Sequence, residues 1–442
     1  MVLFFILGII LQTQTDIAVW FLPVSTVAVV VLFLSFLPKI NRIYDFRYLF
    51  GLGLALLTIV SGAFLTQQAW EKSDWSPGLE TDFYKGCVME EPVRKPKTYR
   101  CKVRITSAEK TVYIYLPIDS LSEQLVAGDY LVFYADFQSP LPYLRKQSIS
   151  ATAFVRQSDW QLEKEQKTSF SVLLQALSVR RMLLKHLQII VPDPDAYSLA
   201  AALMFGYRDS IDEDLRQAFN RIGAAHILAI SGTHFSILFG MLYGLLSFIG
   251  NSRRGKFFKH LLLLPLIWGF AFLTGFSPSV IRAALMMSIW IAGDLFSYHS
   301  FSLNTVAVAA FFMLLFNPLY LFDAGFQLSF SAVIAIILFY LPLAKIYESR
   351  NPLIKYLWEL IAVSIAAQTG VLPLTLYYFR RFPVLFLITN LLLIPLTTIL
   401  LLLIPFSLLL YFIFGEWTIM MWPLNQTLEL FIGIVRELDR IG

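Results

Sequence analysis

Apolar positions run almost without interruption through the start of the chain. Residues 1–15, 17–38 and 48–70 contain no charged residue. A helix needs roughly 20 apolar residues to cross the hydrocarbon of a bilayer. The pattern predicts spans at 17–37 and 48–66, with a shorter apolar segment at 1–12. That segment has neither a basic leader nor a small-residue cleavage site, so a removable signal peptide is not expected.

Between 67 and 167 the pattern changes. This block holds 14 Lys plus Arg and 14 Asp plus Glu, the charge density of a soluble domain. Tyr113 and Tyr115 interleave with Val112, Ile114 and Leu116, the period of two that marks a half-buried strand. Strands are expected at 83–89, 101–106, 111–116, 130–137 and 151–155, separated by Pro92, Pro96 and Gly128-Asp129. They fit a small OB-like β-barrel at 78–157, and a small β-sandwich fits the same pattern. Beyond 168, Phe170–Val191 and Tyr197–Ile222 read as amphipathic interfacial helices carrying Arg180, Arg181, Lys185, Asp212, Glu213, Asp214 and Arg216. Apolar runs resume at 224–249, 261–276, 277–297, 302–317, 325–344 and 357–378. The last uncharged run, 382–415, holds Pro395 and Pro405. As one helix it would be about 51 Å long, against about 30 Å of hydrocarbon. Two pieces or a broken helix are expected.

The fold class is thus an α-helical polytopic membrane protein with about nine or ten spans and an inserted external β-domain. Its blocks are 1–66 (N-terminal spans), 67–167 (β-domain), 168–222 (interfacial helices) and 223–442 (the main transmembrane domain). Composition agrees: 57% of the 442 residues are hydrophobic and 15% charged, with mean hydropathy +0.66. An ordinary soluble domain carries roughly 25% charged residues. A soluble enzyme, a disordered chain and a small disulfide scaffold are excluded. The net charge of +5 is mild and does not argue for nucleic acid.

Basic residues set the orientation. Lys39, Arg42 and Arg47 in 38–47, Arg253, Arg254, Lys256 and Lys259 in 250–260, and Lys345, Arg350 and Lys355 in 345–355 are placed inside by the positive-inside rule. The β-domain then lies outside. Arg380 and Arg381 fall outside on the same count, against the rule. Cys87 and Cys101 are the two cysteines, both in the external block, so a disulfide is expected, with two buried strand thiols as the alternative.

Polar residues inside apolar runs are the candidate chemistry. The first group is His226, Ser231, Thr233 and His234, around a Ser231-Gly232 helix break. Cavity lining or interhelical hydrogen bonding fits better than a serine nucleophile without an acidic orienter, or a zinc site without a third ligand. Arg282 follows a Ser277-Pro278 helix start and needs a carboxylate, backbone carbonyls, water or an anion, unless it reaches the interface. Asp323 and Gln327 are four residues apart, which would put them on one helix face, and Asp323 is a candidate partner for Arg282. Gln368 and Asn390 complete the set.

These motifs, His226-Ile-Leu-Ala-Ile-Ser-Gly-Thr-His234, Thr274-Gly-Phe-Ser-Pro-Ser-Val-Ile-Arg-Ala283 and Gly325-Phe-Gln-Leu-Ser-Phe330, resemble those of the competence protein ComEC family. Asn390 with Leu391–Pro395 is also similar to that family, and so is the layout of spans followed by an external OB-like domain. The resemblance covers about 190–430 most specifically. It implies an inner-membrane channel of natural transformation, with single-stranded DNA and membrane lipids as partners. Other competence proteins are implied too, including a separate nuclease and a cytoplasmic motor; homo-oligomerisation is left open. Thr233 stands where the family often has an apolar residue. The chain carries no H-x-H-x-D-H string and no G-x-x-x-x-G-K-[ST] loop, so neither nuclease nor ATPase activity is expected, and no cofactor. A basic, aromatic face for the strand is expected from Arg94, Lys95, Lys97, Tyr99, Arg100, Lys102, Arg104, Tyr113 and Tyr115. A solvated charged hairpin is the bland reading of it. A transporter of a small anionic solute and a non-transporting scaffold are the competing functions.

Overall fold

A computed structural model describes residues 1–15, 17–36, 48–75, 82–140, 144, 149–163, 172–208, 210–250, 252–295, 302–380, 384–415 and 418–441. The basic loop 38–47 and Arg381 lie outside the described residues. The chain forms two compact units. One comprises residues 1–169 with 307–323, the other 170–306 with 324–442.

In the first unit, α1 (Val2–Thr15) and α2 (Phe21–Phe36) both pack on α3 (Tyr48–Ser73). Their approach needs glycine: a Cβ on Gly62 would run into the carbonyl of Phe5, and one on Gly8 into that of Ile59. Seven strands follow: β1 (Asp82–Val88), β2 (Val93–Arg94), β3 (Thr98–Ile105), β4 (Thr111–Pro117), β5 (Tyr130–Ala135), β6 (Ala151–Phe154) and β7 (Trp160–Glu163). The order is β6-β4-β3-β1-β5-β7, with β2 on β3. β6 runs parallel to β4 and the other pairs are antiparallel. Among the described residues the sheet ends at β6 and β7 and is not closed. Val103, Ile105, Ile114, Leu116, Leu131 and Phe133 fill its core.

The register corrects the disulfide. Cys87 on β1 faces Arg104 on β3, three positions from Cys101. Side chains alternate along a strand, so an offset of three sends the two thiols to opposite faces. Both cysteines are buried and free. Burial pushes the Cys101 thiol up to about 12 and raises that of Cys87 as well.

The second unit opens with α4 (Val172–Ile190), α5 (Pro194–Phe205), α6 (Glu213–Arg221) and the short α7 (Ala225–Leu228). The stretch 197–222 is not one amphipathic helix. Gly206, at φ +67, caps α5 in the left-handed conformation and ends it. α5 is then buried nearly all round, from Ala196 to Phe205, while α6 alone keeps a polar face. Next come α8 (Gly232–Leu245), α9 (Arg253–Leu273), α10 (Pro278–Leu295), α12 (Ala324–Ala344), α13 (Pro352–Phe379), α14 (Phe386–Phe414) and α15 (Thr418–Ile441). Between α10 and α12, α11 (Leu303–Phe316) belongs for the most part to the first unit.

Eight helices among the described residues are long and apolar enough to span, with α1 and α11 as shorter apolar helices. At 14 residues each, these two reach only about 21 Å. The molecule is a mostly helical polytopic membrane protein. Three expectations are corrected. The run after 382 is a single 29-residue helix, α14, with Pro395 and Pro405 inside it. Each proline removes one helical hydrogen bond, and the rest of the ladder carries the helix through. The basic residues of 250–260 are mostly helical, on α9, with Lys259 buried rather than in a solvated loop. Finally, α15 was not expected. Leu424, Leu428, Phe431, Val435 and Leu438 form its buried stripe against the core shared with α5, α6 and α14.

Candidate polar path and basic face

The Ser231-Gly232 break is a helix start. Ser231 is the N-cap of α8 and His234 closes the capping box with it. The Ser231 N–H donates to Nδ1 of His234 at 3.1 Å, and the Ser231 hydroxyl lies 2.7 Å from the same nitrogen. The Thr233 hydroxyl, exposed, pairs with that of Ser231. His234 itself is 2% exposed. His226 sits on α7 with its Nδ1 3.1 Å from the carbonyl of Gly223. Pro278 opens α10 as expected, and Arg282, on its second turn, is 6% exposed.

Gln327 lies in the first turn of α12 and accepts from the Tyr378 hydroxyl of α13 at 2.9 Å. Asp323 is not on the same helix face: it precedes α12 in an extended conformation, ψ 126. It falls in the first unit and Arg282 in the second. Gln368 is half-buried on α13. Asn390 on α14 donates to the buried Ser364 of α13 at 3.4 Å.

These helices form a closed cycle. α8 packs on α10, α10 on α12, α12 on α13, α13 on α14, and α14 returns to α8. α9 runs antiparallel to both α8 and α10: Phe235 meets Phe270, and His260 meets Trp290. α8 and α10 therefore begin at the same end. The Gln327–Tyr378 bond puts the start of α12 beside the end of α13, which leads directly into α14. Thr389 in the first turn of α14 donates to the carbonyl of Ile222, shortly before α8 begins. The starts of α8 and α10 thus share one end, with His234 and Arg282 in their first two turns, whereas Asn390, near the start of α14, meets Ser364, about 21 Å along α13 from the Gln327–Tyr378 bond.

Three of the polar partners were not singled out from the sequence. Ser364, Tyr378 and Thr389 are ordinary residues in apolar helices until a neighbour is packed against them. At the other end of α9 and α10, Asp294 lies 3.3 Å from His260 and 3.8 Å from Lys256, while Lys259 stands over the Tyr243 ring at 4.4 Å. Among the described residues no cluster of His, Cys, Asp and Glu is arranged to hold a metal ion.

The basic residues of the sheet divide by strand parity. Arg100 faces Tyr115, Lys102 faces Tyr113, and Arg104 faces Thr111 across the β3–β4 pair, all on the side away from the core of Val103 and Ile105. Tyr99 faces the core side, paired with Arg94 on β2, and Lys95 and Lys97 form the exposed hairpin between them. Tyr113 is 7% exposed, covered by Leu144 and Ile149 with the Arg100 guanidinium 4.8 Å over its ring. It offers no open face to a base, which corrects its reading as a stacking platform. Burial also pushes its phenol up. Open aromatics here are Phe154, stacked on Tyr115 at 4.7 Å and 65% exposed, and Phe83. A lone Phe at a strand end gave no signal for this in the sequence.

The family model described as Competence protein matches residues 203–441. ComE operon protein 3 of Bacillus subtilis is 35% identical over 222 residues, which cover 50% of this chain and 27% of that protein. An uncharacterized protein of Aquifex aeolicus is 27% identical over 233 residues, covering 52% and 49% of the two chains. Recombination protein 2 of Haemophilus influenzae is 24% identical over 250 residues, covering 54% and 31%. The chain thus spans half or less of the length of these curated relatives. No solved structure matches it.

Proposed function

The chain belongs to the competence protein family, and from that premise we propose that it is a membrane channel component passing single-stranded DNA inward during natural transformation. The observation that carries this is the closed cycle of α8, α10, α12, α13 and α14, each contributing polar residues within an apolar helix. A polyanion cannot cross about 30 Å of hydrocarbon without polar lining and compensating charge. Each helix start contributes roughly half a positive charge, and Arg282 adds a full one. His226, Ser231, Thr233, His234, Gln327, Gln368 and Asn390 supply hydrogen-bonding groups.

Arg94, Lys95, Lys97, Arg100, Lys102 and Arg104, with Tyr99, Tyr115 and Phe154, bind the strand non-specifically before entry. The sheet belongs to the OB type. In support, β1 pairs with both β3 and β5, and β6 lies parallel on β4, as a partly open five-stranded barrel allows. The protein sits in the bacterial inner membrane with the sheet on the outer side. It provides a path rather than chemistry. The nuclease and the motor are separate competence proteins. The test is transformation with labelled DNA in the source organism, comparing wild type, a deletion and Arg282→Ala with expression checked. Loss of uptake past the membrane in both supports the channel. Intact uptake in the deletion overturns it.

A further inference from the structure

His234 holds a buried donor with nothing to donate to. The Ser231 N–H donates to its Nδ1, so in the neutral ring the proton sits on Nε2. That Nε2 is buried and finds no hydrogen-bond partner among the described residues. An unmet buried donor costs roughly 1–3 kcal/mol. The start of α8 therefore asks for an acceptor.

Cations converge on the same corner of the second unit. A Cβ on Gly206 would stand 3.1 Å from Ile230, the residue before Ser231, so Arg208, two residues beyond Gly206, lies by the start of α8. Arg208 follows Tyr207, and the Arg180 guanidinium of α4 lies 5.8 Å from that tyrosine's ring. Arg180 is buried, and one of its guanidinium nitrogens stands 3.5 Å from where a Cβ on Gly275 would be. Gly275, at φ +69, belongs to the turn that leads into α10. Side chains on a helix lean toward its N-terminus, so Arg282 covers the first turn of α10, next to the turn that Arg180 touches. α8 and α10 pack together, which brings the Arg282 corner to the His234 corner. Arg180, Arg208 and Arg282 each have a further interaction inside the protein. The open valence is the imidazole N–H.

We propose that His234, Arg180, Arg208 and Arg282 form a phosphodiester site for the incoming strand at the end of the cycle where α8 and α10 begin. This rests on the channel reading and deepens it. Arg180 and Arg208 lie outside the apolar runs and outside the motifs that drew attention to Arg282. Arg180 also shapes the Gly275 turn, so its role as a phosphate contact needs a measurement that a purely structural role would leave unchanged.

The experiment uses the full chain in phosphatidylcholine nanodiscs with a fluorescent thymidylate oligonucleotide. Affinity is measured against salt in a background of Arg94→Gln, Lys95→Gln, Lys97→Gln, Arg100→Gln, Lys102→Gln and Arg104→Gln, which silences the sheet. Each phosphate contact on a single strand contributes about 0.7 to the slope of log affinity against log salt. Arg180→Gln and Arg208→Gln should each lower the slope by about 0.7, and Arg180→Lys should restore it. His234→Asn keeps an acceptor for the Ser231 amide but removes the Nε2 donor, and should weaken binding roughly tenfold. Unchanged slopes in the Gln variants overturn the inference alone, as does complete loss of binding in the silenced background. So does an Arg180→Gln chain that loses retained phosphatidylglycerol in native mass spectrometry while its slope stays wild-type, because the site then belongs to a lipid headgroup. Absence of binding by the unsubstituted chain overturns the channel reading itself.

Discussion

The sheet and the helical cycle carry similar side chains at very different energetic cost. On β3, Lys102 and Arg104 stand part-exposed to solvent, 2.7 Å from Glu90 and 3.6 Å from Glu109. Surface pairs of this kind contribute about 0–1 kcal/mol. In the helices, Asp294 and His260 are almost fully enclosed, at 7% and 1% exposure. Leaving a buried polar group unmet costs about 1–3 kcal/mol. The same residue types form an adjustable coat in one region and structural commitments in the other.

Substituting the buried cluster should break this comparison hardest. Asp294→Asn is expected to lower stability by about 1–3 kcal/mol, read by chemical denaturation in detergent. A loss below about 1 kcal/mol would put this cluster on the footing of the surface pairs. Gly370→Leu comes next. Its Cβ would meet the Ser331 carbonyl and Ala335 on α12, and overpacking of this kind costs about 1–3 kcal/mol. An unchanged melting curve would mean that α12 and α13 do not approach this closely.

The triple Arg100→Gln, Lys102→Gln, Arg104→Gln chain should stay within about 0.5 kcal/mol of wild type per substitution, while its affinity for single strands falls. A folded chain with unaltered affinity removes the β3 face from the binding route. For the thiols, Cys101 is pushed up to about 12 by burial, so the folded protein should not react with a thiol reagent at neutral pH. Two thiols should titrate after unfolding. An oxidised species on a non-reducing gel would restore the disulfide.

The smallest effect belongs to Asp439, whose carboxyl is held below its ordinary 3.8 by the Arg221 hydrogen bond. A depressed carboxyl stabilises the fold above 3.8, and that contribution is lost as pH falls through the depressed value. Asp439→Asn and wild type should differ slightly at neutral pH and converge in acid. A difference that grows on acidification would reverse the sign.

Much of the architecture was legible because hydropathy is a local property. The spans, the soluble character of 67–167 and the face of β3 that carries Arg100, Lys102 and Arg104 all follow from runs and alternation along the chain. α15 was also legible: its apolar positions recur every three or four residues. It forms no uncharged run because polar residues on the opposite face fall between the apolar positions at each turn. Gly206 marked the break between α5 and α6, but a glycine inside an apolar stretch does not announce a left-handed cap.

What the sequence by itself determined is the class of the molecule and the identity of its unusual residues. His234, Arg282, Gln327 and Asn390 stand out because ionisable or amide groups are costly in hydrocarbon wherever they point. Tertiary structure alone decided which of them meet. The parity that separates Cys87 from Cys101, the contacts of Leu144 and Ile149 that bury Tyr113, and the packing that sets Arg180 beside Tyr207 and Gly275 all depend on register and on contacts between distant segments. Those are properties of pairs of positions, and no single stretch of sequence contains them.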